Sequence, residues 1–191
     1  MKKILMVLLV LILAAVLFVA TRPNEYRVER SATFAAPPEA VFAQIDDFHR
    51  WADWSPWEKL DPQMQRSFGG AASGVGAEYH WVGNNQVGEG QMTITESQPN
   101  DRVAIKLEFL KPWASTSLAT FTLAPDNAGT RVTWAMDGKH NFMSKAMCIF
   151  VSMDKMIGAD FERGLAALGT VAAAAAMESA GSDSTAAPSG P

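Results

Sequence analysis

The chain has 191 residues, 48% of them apolar and 19% charged, with a formal net charge of -4, which is room for one globular domain and some extra segments but not for two full domains. No long run of either sign offers a surface for tracking a phosphate backbone, so nucleic acid is not an expected partner. A single cysteine, Cys148, excludes an internal disulfide, and His49, His80 and His140 lack the spacing of metal ligands.

The chain opens with Lys2 and Lys3, followed by ILMVLLVLILAAVLFVA over residues 4–20, with no polar side-chain atom. At about 1.5 Å per residue this run reaches about 25 Å, slightly short of a bilayer core of about 30 Å. Snorkelling lysines and local thinning absorb that mismatch. A cleaved secretory signal and a retained anchor compete for this segment. Cleavage after Ala20 would put Phe18 at the position that needs a small residue, which favours a transmembrane anchor over residues 1–22. The lysines ahead of the run keep the N-terminus in the cytoplasm, so the rest of the chain is expected on the extracytoplasmic, periplasmic side of the inner membrane.

YRVERSATF, residues 26–34, alternates as a strand with Tyr26, Val28, Ala32 and Phe34 on one side. Pro37 and Pro38 suit the opening turn of a helix. Val41, Phe42, Ile45 and Phe48 then fall at helical spacing, and Trp51 and Trp54 continue that face until Pro56 forces the helix to end.

From residue 63 the period becomes two. QMQRSF, GAEYHWV, GEGQMTITES, DRVAIKLEFL, STSLATFTL and TRVTWAMD read as strands joined by short turn-rich pieces, hence as antiparallel neighbours. The inward parity carries Tyr79, Trp81, Met92, Ile94, Val103, Ile105, Leu107, Phe109, Ala119, Phe121, Leu123, Val132, Trp134 and Met136. The other parity is polar, with His80, Lys106, Glu108 and Arg131 among it.

Met143, Met147, Phe150, Asp154, Ile157, Phe161, Leu165 and Leu168 step by three and four, predicting one long amphipathic helix. Gly158 and Gly164 each cost about 1 kcal/mol relative to alanine in such a helix, so close approach to the sheet is expected there. Residues 172–191, rich in Ala, Ser, Gly and Pro, predict a disordered tail, leaving a folded unit over 25–171. The fold class is α+β, ordered β-α-α-β6-α: a curved antiparallel sheet of about seven strands wrapped around the C-terminal helix and preceded by one transmembrane helix.

That order, with APPEAVFAQIDDFHRWADWSPW near the start and MDKMIGADFERGL on the last helix, resembles the START-like (SRPBCC, helix-grip) superfamily, which includes polyketide cyclase/dehydrase-like and birch-pollen-allergen-like proteins. The resemblance implies an internal cavity between the concave sheet and the last helix, open at one end. It carries no catalytic residue over to this chain, because no catalytic motif matches position by position.

A cavity of that kind would be lined by Tyr79, Trp81, Met92, Phe109, Phe121, Trp134 and Met136 from the sheet. The helix would add Met143, Met147 and Phe150, with Met153 a further candidate. Methionine is flexible and polarizable, so such a lining could remould around varied apolar ligands, or interdigitate into a closed core. Asp154 interrupts the apolar stripe and Arg30 and Arg66 interrupt the inward parity. Either Arg30 or Arg66 with Asp154 marks a polar end of the pocket, or these side chains reach solvent from the sheet ends. Trp51, Trp54 and Trp57 read first as a plug closing one end of the sheet, with a ligand rim or cation cage as the competing readings.

No nucleophile elbow, phosphate loop or metal quartet occurs, and only Tyr79 and Asp154 could serve as inward acid or base. No cofactor is implied. The leading expectation is membrane-anchored binding of a hydrophobic small molecule or lipid. The alternatives are a cyclase/dehydratase-like enzyme and a closed-core interaction module.

Overall fold

The computed structural model describes residues 2–140, 142–149 and 151–185. Helix α1 (Lys2–Ala20) is long and apolar enough to cross a membrane, and nearly all of its side chains are exposed. β1 (Glu25–Phe34) is followed by α2 (Pro38–Ile45), which starts on a proline. A 3-10 turn over Phe48–Arg50, α3 (Trp51–Trp54) and a second 3-10 turn over Pro56–Lys59 complete the first connection.

All six further strands form: β2 (Gln65–Gly70), β3 (Ala77–Val82), β4 (Glu89–Gln98), β5 (Arg102–Lys111), β6 (Ser115–Asp126) and β7 (Gly129–Lys139). They build one antiparallel seven-stranded sheet in the order β1-β7-β6-β5-β4-β3-β2. The register slips at Glu89/Gly90 and Ile94/Glu96 in β4, and irregularities of this kind bend and twist a strand, which helps the sheet to curl. The dry and wet faces follow the expected parity: Val103, Ile105, Phe121 and Val132 are fully buried, whereas His80, Lys106 and Arg131 face out.

Two features of the last third differ from the expectation. The single long helix is broken into α4 (Phe142–Met147) and α5 (Met153–Thr185). The break has a local cause: the Ser152 hydroxyl accepts from Lys155 N at 3.3 Å, an N-cap that starts a new helix in competition with continuation of the old one. The helix also runs on past residue 171 to Thr185, where a structureless tail is expected, because alanine is the best helix former and Ala172 is buried against the core. Met153–Gly181 passes the same length and composition test for a span as α1. Its Phe161, Leu165, Leu168 and Ala172 are nonetheless buried on the sheet, which identifies it as the gripped helix.

The two helix glycines sit at close approaches. A β-carbon on Gly158 would overlap the Arg30 guanidinium, and one on Gly164 would lie 2.7 Å from the Trp134 ring and 3.1 Å from Pro56.

Candidate functional site

Rings occupy the space between the sheet and α5. Trp134 stacks on Phe161 with centroids 4.2 Å apart and planes at 9°, and on its other side lies against Phe121 at 4.8 Å. Trp54 meets Phe121 and Trp134 edge-on at 6.0 and 5.8 Å, while Trp57 meets Trp134 and Phe161 edge-on at 5.7 and 6.2 Å. The indole N–H groups of Trp51 and Trp54 donate to the carbonyls of Ile45 and Gln44, so their polar atoms are satisfied while the rings are buried. The three tryptophans of WADWSPW therefore wedge the connection after α2 into the grip, rather than forming a cage. The hollow implied by the resemblance is filled by this aromatic column. The Trp134 indole N–H is buried within it and has no hydrogen-bond partner among the described residues.

Beside the column lies a buried polar group. The Tyr79 hydroxyl donates to Glu58 Oε1 at 2.5 Å, and Glu58 Oε2 stands 2.6 Å from Arg66 Nε. The second contact is close enough for an ion pair, although the N–H is too poorly aligned to count as a hydrogen bond. Burial first, and then the bond to Glu58, push the Tyr79 phenol well above its ordinary range. Arg66 thus interrupts the inward parity because Glu58 needs a counter-charge. Sequence reasoning missed Glu58, and the available signal was an acidic residue next to Trp57 in the turn Pro56–Lys59, with Arg66 at an inward position a few residues on.

The inner face grows less buried toward one end. The register places Val28, Met136, Ala119, Ile105 and Ile94 in one row across the sheet, all of them buried. The next row carries Tyr26, Gly138, Ser117, Leu107, Met92 and Tyr79, and beyond it come Phe109, Gly90 and Trp81. In these two rows Tyr26, Leu107 and Phe109 are only partly buried, as are Met153 and Ile157 at the start of α5. The small residues are covered by the chain's own rings: a β-carbon on Gly90 would touch the Trp81 indole, and one on Gly138 would meet the Tyr26 ring. The Tyr26 hydroxyl is 3.0 Å from Ser117 Oγ, and its ring packs on His140 at 4.8 Å. Burial, and secondarily the charge of Lys145, hold His140 below its ordinary pKa. This is the end of the sheet at which the chain arrives from α1.

The predicted site residues therefore divide. Tyr79, Trp81, Met92, Phe121, Trp134 and Met136 are buried and inward, Phe109 stands at the partly exposed end, and Met147 on α4 is exposed. Met143 lies on α4, and Phe150 lies outside the described residues. Arg30 and Asp154 do come together, but on the edge strand β1 and facing solvent. Arg30 holds both carboxylate oxygens of Asp154 at 2.7 and 3.1 Å and reaches Glu162 with Nε at 2.7 Å. Those bonds raise the Arg30 pKa and lower that of Asp154. This corrects the polar pocket end: Arg30 clamps β1 to the first turns of α5 over Gly158, and neither Arg30 nor Arg66 with Asp154 faces an interior. Tyr79 on β3 and Asp154 beside β1 also stand toward opposite edges of the sheet, so the two inward acid/base candidates do not share a reacting atom.

Hollows lie at the α1 end of the chain. One of about 230 Å³ lies where the α1 linker meets α4, bounded by Arg22, Pro23, Glu25, His140, Lys145, Cys148 and Ile149. Another, about 280 Å³, lies on α1 alone.

The family model for polyketide cyclase / dehydrase and lipid transport matches residues 25–173. The chain belongs to that family. A protein of Chromobacterium violaceum, CV1439, is 20% identical, with a TM-score of 0.51 over 78% of this chain and 96% of its own. MLL2253 from Mesorhizobium loti is 19% identical, with a TM-score of 0.54 over 76% and 96%. The di-domain ARO/CYC StfQ from the steffimycin biosynthetic pathway is 13% identical, with a TM-score of 0.57 over 83% of this chain and 52% of that one. At these identities the structural likeness establishes the helix-grip fold and no activity. No curated protein matches the chain.

Proposed function

We propose that this protein is a membrane-anchored helix-grip domain that binds a hydrophobic small molecule or lipid at the end of the sheet facing its anchor. The observation that carries the reading is the burial gradient along the inner face: Val28, Ile105 and Val103 are 0–1% exposed, whereas the apolar Tyr26, Leu107, Phe109, Met153 and Ile157 remain partly open. Apolar side chains gathered at one concave end, with Tyr26 and Ser117 supplying hydroxyls, have the chemistry of a small-molecule site. Met92, Met136 and Met153 around it are the side chains best able to repack for a guest. Lipid transport in the family description supports the same class of ligand. α1 supports the tether, with Lys2 and Lys3 keeping its start in the cytoplasm and the domain on the extracytoplasmic side. A tether keeps the site where apolar molecules partition.

The test is solvent extraction of the full chain purified from membranes, with mass spectrometry of what it carries, beside Phe109→Glu. The expected result is an apolar species near one equivalent, lost at least tenfold in the variant. Equal lipid and detergent content in both would refute the reading.

The aromatic column favours a second reading, a closed-core interaction module. Under that reading the same extraction returns no enriched species. The cyclase/dehydratase alternative would have to draw on the buried Tyr79–Glu58 pair beside Arg66.

A further inference from the structure

We infer that the globular domain itself rests on the bilayer, on the face formed by the β5–β6 hairpin tip and the α4–α5 connection. The inference rests on α1 being a retained anchor, as proposed above, but assigns a second and separate membrane contact.

The strand register sets the geometry. β1 begins at the same sheet end at which β7 stops and β6 starts, and Glu89 of β4 pairs with Lys111 at the end of β5. The end that receives the chain from α1 therefore also presents the hairpin Lys111–Ala114 and α4. Two contacts tie α4 to the linker: His140 N donates to Asn24 O at 2.7 Å, and Lys145 Nζ donates to Asn24 Oδ1. α1 itself packs on α4.

Large apolar side chains are left uncovered at this end. Trp113, at the hairpin tip, is 62% exposed and Leu110 beside it 51%. Ile149 and Val151, between α4 and α5, are also exposed. The turns at the opposite sheet end differ: they carry Asp101 and Asp126, and Val75 is their one large exposed apolar residue among those described. Charge follows the same polarity. Arg22, Lys139 and Lys145 stand at the anchor end against Glu25, while Lys111 and Glu89 pair with each other at 2.5 Å.

An exposed tryptophan at a sheet end that also carries Arg22, Lys139 and Lys145 is suited to the headgroup boundary, where the ring sits among acyl ends and the cationic groups meet lipid phosphates. A protein partner would explain the apolar residues equally well. The bilayer is the occupant because α1 delivers it to this end of the sheet, continuous with the patch. In that pose the partly buried Tyr26, Leu107 and Phe109 open toward lipid rather than toward water.

The full chain in lipid nanodiscs, made with or without acyl-brominated phospholipid, tests this through tryptophan emission. Of the other five tryptophans, Trp51, Trp54, Trp81 and Trp134 are buried and the partly buried Trp57 packs on Trp134 and Phe161, so most of the bromine-dependent drop is expected to come from Trp113 and to fall at least twofold in Trp113→Phe. Aqueous iodide is expected to quench Trp113 less in nanodiscs than in detergent. Equal bromine quenching of both chains, or equal iodide access in both media, overturns the inference. A chain that floats with the lipid yet shows no Trp113 quenching keeps the anchor and loses the docking face. Failure to float overturns both, and ligand extraction is read independently of either.

Discussion

Gly158→Ala and Gly164→Ala make the same chemical change on the same helix, and the structure sets them apart. Each gains about 1 kcal/mol of helix stability from alanine. At 158 the added methyl meets only the end of the Arg30 side chain, which can swing aside. What it gives up is a pair of solvent-facing ion pairs, with Asp154 and Glu162, and exposed pairs of this kind add little. Net stabilisation of up to about 1 kcal/mol is expected. At 164 the methyl would lie 2.7 Å from Trp134 and 3.1 Å from Pro56. Trp134 is held between Phe161 and Phe121 and cannot retreat. Overpacking costs about 1–3 kcal/mol, and displacing the stack costs about another 0.5–1.5 kcal/mol. After subtracting the helix gain, a loss of about 0.5–3.5 kcal/mol remains. In urea titrations of the full chain followed by tryptophan emission, with a slope of about 2 kcal/mol/M, the 164 midpoint falls by about 1 M while the 158 midpoint holds or rises. Equal shifts in one direction would refute the packing asymmetry of α5.

Tyr79→Phe leaves a buried Glu58 oxygen without its donor and is expected to cost about 1.5–3 kcal/mol, the range for a hydrogen bond to a charged group; the same titration checks it, and a neutral result would mean that the bond contributes nothing. Trp134→Phe removes ring volume but also an unpaired buried N–H whose burial costs about 1–3 kcal/mol, so its loss should stay under about 1.5 kcal/mol, well below that of Phe121→Ala at about 3–5 kcal/mol. Asp154 has a folded pKa below its ordinary 3.8 because Arg30 bonds its carboxylate. Its contribution is present above the unfolded value and is lost as pH falls through the folded one. Asp154→Asn should therefore flatten the acid limb of stability against pH, and unchanged limbs would contradict the clamp. His140 acts in the same sense at higher pH: its folded pKa lies below its ordinary value, so stability falls as pH drops from about 6.5, and His140→Phe should remove that component.

Strand alternation made the sheet legible, because a period of two states which side chains turn inward whatever they later touch. The strands are legible in this way, and so is the buried parity of all but β2, where Phe68 is exposed, as are the helix after Pro38 and the stripe from Ile157 to Leu168. Parity does not report what lies opposite. Trp134 facing Phe161 and Trp134 facing a ligand leave the same pattern in the chain, so the pattern alone does not separate a cavity from a ring-filled core. An i, i+4 stripe runs straight through Ser152, and a single hydroxyl cap outweighs that spacing. Glu58 could not be paired with Tyr79 by periodicity, since their contact depends on how the connection folds back over β3.

β1 and α5 run side by side, with Arg30 near Gly158 and Phe34 under Gly169, so the turns of α5 after Ala172 overshoot the strand. From 172 to Thr185 that is about 20 Å of helix at about 1.5 Å per residue, with Met177 and its neighbours bare. A fluorophore or fusion partner grafted on this spur would report from the far side of the domain without disturbing its interior, a fixed mast from which the tilt of the whole body relative to a lipid surface can be surveyed.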